Sequence, residues 1–312
     1  MKIFRIIPVF FVVSGMISCG GGAKPENENT LTSGKTKIAV DETMSTVIQN
    51  EIDVFQSLYP ATISPIVTTE TNAIDLLLKD SVRMAVTARK LTKAELDYFH
   101  SRKFEPEVIR IAIDGVAIIV NKQNKDTVIN VQNLKRIMTG EVTRWDQIYP
   151  KSKLGKLQMV FDNKNSSIVR YAIDSICRDK KLSQNLNALE LNREVVDYVS
   201  KTPNAMGVIG VNLISNEQDT ATVEFLDKIQ VMRVGTDVAV DRTNSVQPYQ
   251  YYLYIQAYPL RREIYIILND PRGELPKGFT SFVAGDKGQR IIKRSGLLPA
   301  VMPISTVHIN EE

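Results

Sequence analysis

Residues 37–87 determine the fold class, and they read KIAVDETMSTVIQNEIDVFQSLYPATISPIVTTETNAIDLLLKDSVRMAVT. Short apolar runs predict strands at Lys37–Val40, Ile63–Val67 and Val82–Thr87. Between these runs lie two helical patterns, in which apolar residues recur at spacings of three and four. Strands that alternate with helices in this way predict an α/β fold with a largely parallel sheet.

The alternation of strands and helices continues to the C-terminus. Thr92 and Glu95 form a capping-box pattern at the start of a helix. Val108–Val120 is long enough for one apolar strand, or for two strands separated at Asp114-Gly115. The patterns further predict helices at Val131–Met138, Ser166–Ile176, around Val195–Val199 and at Phe279–Lys293, and strands at Lys156–Phe161, Met206–Val211, Phe225–Val234, Tyr251–Ala257 and Ile264–Leu268.

Composition excludes several classes of protein. The chain has 312 residues, of which 43% are hydrophobic and 24% are charged, and this length favours two lobes. Two cysteines cannot form a disulfide framework or a thiolate zinc site, and two histidines leave little basis for a histidine triad. A net charge of +4 is too small to indicate nucleic-acid binding. No Walker loop, GxGxxG or GxSxG motif occurs. Because neither a histidine-based base nor a metal cluster is apparent, an enzyme is the least supported class, and we predict a non-enzymatic protein without metal or cofactor.

The N-terminus has the pattern of an exported lipoprotein. Residues 1–18 combine two basic residues, the apolar run Ile6–Val13 and a small residue, Ser18, before Cys19, which predicts a signal peptide and a lipid on that cysteine. Residues 19–36 are rich in Gly, Asn, Thr and Pro, as expected of a flexible tether. An uncleaved signal anchor is the alternative. We therefore expect a membrane-anchored protein of the periplasm or cell envelope.

Four hydroxyl-rich turns precede predicted helices, at Thr43–Thr46, Thr68–Thr71, Thr87–Thr92 and Asn163–Ser167. A helix N-terminus presents free N–H groups, and Ser or Thr hydroxyls beside it favour oxyanion binding. In an open α/β sheet such loops gather at the carboxyl ends of the strands, where ligands bind. The alternative is that each hydroxyl only caps its own helix.

Several segments, taken together, resemble the phosphate-binding, PstS-type component of bacterial ABC importers. They are Thr87–Glu95 (TARKLTKAE), Ala112–Asn121 (AIDGVAIIVN), Leu134–Ile148 (LKRIMTGEVTRWDQI), Asn204–Val211 (NAMGVIGV) and Tyr258–Pro299. The last segment is the most specific, because YPLRREIYIIL, GFTSFV and GQRIIKRSGLLP follow one another at the family's spacing. The resemblance covers nearly the whole chain after the tether.

The resemblance implies a two-lobed type II periplasmic binding protein, each lobe having a central mixed sheet flanked by helices. The first lobe would comprise residues 37–120 and 246–312, and the second residues 121–245. Two hinge strands would connect the lobes, near Val120 and near Val246–Gln250. Ligand would bind in the cleft between the lobes, which would then close over it.

The resemblance also implies a set of ligand-binding residues. Matched position by position to the family's anion loops, they are Thr43 and the Met44 N–H, Thr71, Thr87 and Arg89, and Ser166 with Ser167. Asp162 stands where the family has an arginine, so the cleft needs another cation to offset a carboxylate. Arg170, Lys164 or Arg89 could take that role. Arg170 is counted with the ligand-binding residues, although it could instead be a surface arginine.

The predicted function is that of a monomeric solute-binding lipoprotein that captures phosphate or a related oxyanion. It would deliver this ligand to the permease subunits and ATPase of an ABC importer. Two alternatives remain open: the same fold binding a different anion or a small organic phosphate, and a sensory or adhesive surface lipoprotein without a transport role.

Overall fold

The computed structural model describes residues 29–184, 186–215 and 220–302, with the side chains of residues 220–222 left out. The predicted signal peptide, the lipidation site Cys19 and residues 20–28 of the tether lie outside the described residues. Among the helices that the structure describes, none is long and apolar enough to cross a membrane. The strand that opens the fold begins at Gly34, so residues 34–36 belong to the sheet and not to the tether.

The described residues form twelve strands and ten α-helices. The strands are β1 (Gly34–Asp41), β2 (Ala61–Thr68), β3 (Met84–Thr87), β4 (Glu107–Asn121), β5 (Val128–Asn130), β6 (Gln158–Phe161), β7 (Asn187–Ala188), β8 (Ala205–Gly210), β9 (Ile229–Val231), β10 (Arg233–Gly235), β11 (Arg261–Leu268) and β12 (Leu298–Pro299). The helices are α1 (Ser45–Leu58), α2 (Glu70–Leu78), α3 (Lys93–Ser101), α4 (Val131–Met138), α5 (Ser167–Tyr171), α6 (Asn192–Lys201), α7 (Thr220–Lys228), α8 (Gln250–Tyr254), α9 (Leu275–Ala284) and α10 (Asp286–Arg294).

The first lobe is built on a mixed sheet of order β2-β1-β3-β11-β4. β1 lies parallel to β2 and β3, whereas β11 runs antiparallel to β3 and β4. One face of this sheet packs against α1, α9 and α10, with Phe55 and Phe279 fully buried between them. The other face packs against α2 and α3 through Leu77 and Phe99. The predicted capping box of α3, between Thr92 and Glu95, is confirmed.

The strand β4 joins the two lobes without a break. Its residues 107–115 pair with β11 in the first lobe, and its residues 116–120 pair with β8 in the second. Gly115 lies at the crossing, where an added Cβ would stand 2.9 Å from Val211 Cγ2 and 3.1 Å from Pro248 Cβ. Glycine therefore allows the close approach of chain segments at this point.

The second lobe extends the sheet through β8, β6 and β7. β8 is antiparallel to β4, and β6 is parallel to β8. Helix α6 packs against β8 through Val195 and Val199, and the buried Trp145 and Phe161 belong to the core on the opposite side. The predicted helix Ser166–Ile176 is α-helical only over α5. The chain then continues as a π-helical turn at Ala172–Cys177.

Three predicted elements were wrong in the C-terminal half. Residues 225–228 end helix α7 instead of beginning a strand, and only Ile229 onward is extended. Tyr251–Ala257 contains helix α8 instead of a strand. The predicted helix Phe279–Lys293 divides at Gly285 into α9 and α10. An added Cβ at Gly288 would lie 2.5 Å from Val283 Cα, so the two helices pack backbone against backbone.

Candidate functional site

The candidate site lies where the carboxyl ends of strands from both lobes face each other. In the first lobe, Thr43 follows β1 in a 3-10 turn, and Thr87 ends β3. In the second lobe, Ser166 caps α5 and Ser167 is its first residue, after the loop that follows β6. The Ser166 hydroxyl accepts a hydrogen bond from Val169 N at 3.2 Å, so its capping role is confirmed.

Two of the predicted hydroxyl groups meet across the cleft. Thr43 Oγ1 lies 3.3 Å from Ser167 Oγ, although the two residues belong to different lobes. Both residues are buried, with 5% and 0% of their surface exposed. The structure therefore describes a closed arrangement, in which the first and fourth predicted anion loops are in direct contact.

A buried arginine that sequence reasoning missed joins this pair of hydroxyls. Arg262 on β11 donates from Nη1 to Ser167 Oγ at 2.8 Å and from Nη2 to Thr43 Oγ1 at 3.1 Å. Its Nε donates to Asp114 Oδ2 at 2.9 Å, and Nη2 lies 2.7 Å from the same oxygen. The side chains of Arg262 and Asp114 are 1% and 0% exposed, so this is a fully buried ion pair.

The position of Arg262 along β11 is the sequence signal that could have identified it. Alternate residues of a strand share one face, and Arg262 shares its face with Ile264 and Ile266, both buried. A charged residue on the apolar face of a strand needs a buried partner. Asp114, which is aligned with Arg262 in the register between β4 and β11, provides it.

The other predicted ligand-binding residues of the first lobe make hydrogen bonds or packing contacts within the protein. The Thr87 hydroxyl donates to Arg89 O at 2.8 Å, and Thr71 Oγ1 donates across the cleft to Asn165 O at 3.5 Å. The Met44 side chain is buried in the core of the first lobe, so only its backbone N–H is left as a candidate ligand group.

Arg89 and Arg170 are paired with carboxylates. Arg89 makes two hydrogen bonds of 2.7 Å to Glu95. Arg170 binds Glu70 across the cleft through Nε and Nη2, and its Nη2 also donates to Ala88 O at 3.0 Å. The ligand-binding role of the two arginines remains a prediction. A bound anion would have to compete with these carboxylates for the guanidinium groups.

Asp162, where the family arginine was expected, forms hydrogen bonds within the second lobe. Ser166 Oγ donates to Asp162 Oδ1 at 2.5 Å, and Asn192 Nδ2 donates to Asp162 Oδ2 at 2.9 Å. Burial raises the pKa of Asp162 to about 7, and the nearby Asp41 carboxylate adds to the increase. A large share of the Asp162 carboxyls is therefore protonated at neutral pH, which reduces the repulsion that an anion would meet here.

Asp41 is a second buried carboxyl beside the hydroxyl pair. It accepts a hydrogen bond from Thr43 N at 3.2 Å and is fully buried. Burial raises the pKa of Asp41 to about 6, and Glu70 adds to the increase, whereas Arg262 opposes it. Near neutral pH, the charge of the cleft therefore depends on how many of its carboxyls are protonated.

Polar contacts between the lobes also surround a cavity of about 330 Å³ at the edge of the cleft. Asn192 Nδ2 donates to Glu42 Oε2 at 2.8 Å, and Asn212 Nδ2 donates to the Thr43 carbonyl at 2.5 Å. All four residues line the cavity.

Among the described residues, no group of three or more His, Cys, Asp or Glu side chains is arranged to hold a metal ion.

Comparisons with known proteins assign the chain to a family. A model of a PBP superfamily domain matches residues 25–287. The phosphate-binding protein PstS of Borreliella burgdorferi is 24% identical over 236 residues, which cover 72% of this chain and 75% of that protein. PstS of Pseudomonas aeruginosa is 20% identical over 335 aligned positions, which cover 100% of this chain and 99% of that protein.

A solved structure supports the fold. It is a crystal structure with bound phosphate of a Clostridium perfringens protein assigned as the substrate-binding protein of a phosphate ABC transporter. It matches with a TM-score of 0.72 at 17% identity, covering 86% of this chain and 100% of that one. The predicted two-lobed α/β fold is thereby confirmed, and the relatives agree with a binding protein instead of an enzyme. The chain therefore belongs to the PBP superfamily and is similar, along most of its length, to PstS-type phosphate-binding proteins.

Proposed function

We propose that this protein captures phosphate, or a closely related oxyanion, in the cleft between its lobes and delivers it to an ABC importer. The observation that carries the proposal is the contact between Thr43 Oγ1 and Ser167 Oγ, 3.3 Å apart and contributed by opposite lobes. An anion that accepts hydrogen bonds from both hydroxyls would favour the closed arrangement of the lobes.

Hydrogen bonds to hydroxyl and backbone N–H groups suit such an anion. Each hydrogen bond to a charged group contributes about 1.5–3 kcal/mol, and several of them together offset much of the cost of removing an anion from water. Thr43 lies directly before helix α1, whose free N–H groups and dipole add a favourable potential for negative charge. Met44 N–H and Ser166 Oγ remain proposed members of the same site.

The names of the relatives point to the same ligand. The two curated relatives described above are phosphate-binding proteins, and the C. perfringens structure contains bound phosphate. This relationship supports the proposed delivery to permease subunits and an ATPase, and a location outside the cytoplasm. Lipid attachment at Cys19 is proposed from the sequence alone, with residues 20–33 as the tether.

The acidic character of the cleft favours a second candidate ligand. Asp41, Asp162 and Glu42 all lie near the hydroxyl pair, and burial raises the pKa of each carboxyl. A ligand of lower charge than phosphate, such as a phosphodiester, which carries a single negative charge at neutral pH, would meet less repulsion from these groups. It would use the same hydroxyls.

Competition binding separates the two candidates. Calorimetric titrations would use the chain from residue 19 with Cys19→Ser, dialysed exhaustively against phosphate-free buffer. Inorganic phosphate, sulfate and dimethyl phosphate would be titrated in parallel. Tighter binding of phosphate than of both competitors supports phosphate capture, whereas preference for dimethyl phosphate would support the organic phosphate.

A further inference from the structure

We infer that Arg262 is the cationic ligand-binding residue of the cleft, and that its guanidinium binds the oxyanion together with the hydroxyls of Thr43 and Ser167. The inference rests on the proposed function and adds to it a residue from a strand outside the predicted anion loops. It accounts for the source of positive charge in a cleft where position 162 carries a carboxylate.

The hydrogen bonds of Arg262 define its orientation. Asp114 Oδ2 accepts from the inner edge, through Nε at 2.9 Å and Nη2 at 2.7 Å. The outer edge, formed by Nη1 and Nη2, points to Ser167 Oγ and Thr43 Oγ1. Asp114 therefore holds the guanidinium so that its outer edge faces the contact between the two lobes.

The hydroxyl protons of Thr43 and Ser167 have acceptors within the protein in this arrangement, because the two oxygens lie 3.3 Å apart and Ser167 also forms a hydrogen bond with Asp41. A bound oxyanion would take the place of these acceptors. A hydroxyl oxygen that accepts an N–H from arginine can still donate its own proton to another acceptor. Thr43 and Ser167 both accept from Arg262. The three side chains thus form a compact group of donors, and an oxyanion is the ligand that such a group recognises best.

The other cations near the cleft are less suited to this role. Arg89 makes a two-fold hydrogen-bonded pair with Glu95, and Arg170 is shared between Glu70 and Asp174. Lys164 and Arg193 are exposed. Among the arginines and lysines whose side chains the structure describes, Arg262 is the one that is buried and contacts hydroxyls of both lobes.

The planar shape of the guanidinium gives the site geometric selectivity. Its two outer N–H groups, which donate to the hydroxyls of Ser167 and Thr43 in this structure, would exchange these acceptors for two oxygens of one anion. They form a fork that matches such a pair of oxygens, whereas an ammonium group offers a point charge. Because Arg262 belongs to the first lobe and Ser167 to the second, an anion bound to both would also hold the cleft closed. Arg262 would therefore contribute to affinity and to closure through the same ligand.

The test is a calorimetric titration of inorganic phosphate into the mature chain and three variants. Arg262→Lys keeps the charge, Arg262→Gln/Asp114→Asn removes both members of the buried pair, and Arg110→Gln removes an exposed arginine that pairs with Glu263 in the same sheet. The double variant avoids leaving a buried carboxylate without its partner. Circular dichroism and thermal unfolding would check that each variant is folded.

We expect the double variant to bind phosphate at least about 100-fold more weakly than the unchanged protein, and Arg262→Lys to bind it about tenfold more weakly. Arg110→Gln should bind phosphate with unchanged affinity. Unchanged affinity in both folded Arg262 variants would overturn the role of Arg262 and leave the proposed function standing. If the unchanged protein itself bound no phosphate, the proposed function would fail and the role of Arg262 with it.

Discussion

Arg170 in the second lobe donates hydrogen bonds to both carboxylate oxygens of Glu70 in the first. Glu70 is 2% exposed, and its Oε1 also accepts from Ala88 N at 2.8 Å. The pair exists only when the lobes are in contact, because its members belong to different lobes. It therefore stabilises the closed arrangement independently of any ligand.

Removal of this ion pair is expected to favour the open arrangement. We predict that Arg170→Gln increases the radius of gyration of the ligand-free protein in small-angle X-ray scattering and weakens phosphate binding about tenfold, because the lost interaction stabilises only the closed state. Arg144→Gln is the matched control, since Arg144 pairs with Asp146 within the second lobe. An unchanged radius and unchanged affinity in Arg170→Gln would show that the pair does not contribute to closure.

The two hydroxyls that meet across the cleft are expected to contribute to binding separately. We predict that Thr43→Ala and Ser167→Ala each weaken phosphate binding about tenfold, or about 1.4 kcal/mol, because each removes one hydrogen bond to the anion. Ser57→Ala, on the exposed face of α1, should have no effect. Titration calorimetry measures these affinities, and wild-type binding by both cleft variants would place the anion elsewhere.

Asp162 is expected to make stability depend on pH. Its raised pKa, about 7, means that the folded chain binds more protons than the unfolded chain between about pH 4 and 7. Its contribution to the free energy of unfolding is therefore complete at low pH and is lost as pH rises through about 7. We predict that Asp162→Asn makes urea-unfolding free energies decline less between about pH 5 and 7.5 than in the unchanged protein.

The groups that face Asp162 affect the same titration. Asp41 and Glu42 raise the pKa of Asp162, and Arg262 lowers it. The double variant Arg262→Gln/Asp114→Asn, which leaves no buried carboxylate without its partner, should therefore shift the decline in stability toward higher pH. An identical pH profile in the unchanged protein and in Asp162→Asn would mean that this carboxyl is ionised in the folded state throughout the range.

Glu51 on α1 is expected to dominate the pH dependence of stability at higher pH. It is fully buried, neither carboxyl oxygen has a hydrogen-bond partner among the described residues, and burial raises the pKa of Glu51 to about 9. By the same linkage, its contribution is lost as pH rises through about 9. We predict that Glu51→Gln makes the unfolding free energy decline less between about pH 7.5 and 9.5. Asp53 is exposed on the same helix, so Asp53→Asn should leave this decline unchanged.

Local sequence patterns predicted the elements that build the first lobe. The alternation over residues 37–87 gave strands β1 to β3 and the helices between them, because each has its own apolar period. Where a short apolar segment has no clear period, the prediction failed. Residues 251–254 are rich in tyrosine, which favours strands, but helix α8 exposes Tyr251 and Tyr254 and has Leu253 as its buried residue.

The candidate site was only partly predictable for a different reason. Thr43 and Ser167 could be identified because hydroxyls before helices are a local pattern. Arg262 and Asp114 are separated by 148 positions, and Glu70 and Arg170 by 100, so their pairing depends on the strand order and on lobe closure. No local pattern specifies which buried charge finds which partner.

Phosphate binding by the cleft is the central claim, and one titration tests it most directly. Inorganic phosphate would be titrated calorimetrically into the dialysed mature chain and into Thr43→Ala. We predict binding at micromolar concentrations or tighter that is weakened in Thr43→Ala and is not displaced by sulfate. A folded protein that gives no heat with phosphate, or an equal affinity in Thr43→Ala, would contradict the assignment of this cleft as the phosphate site.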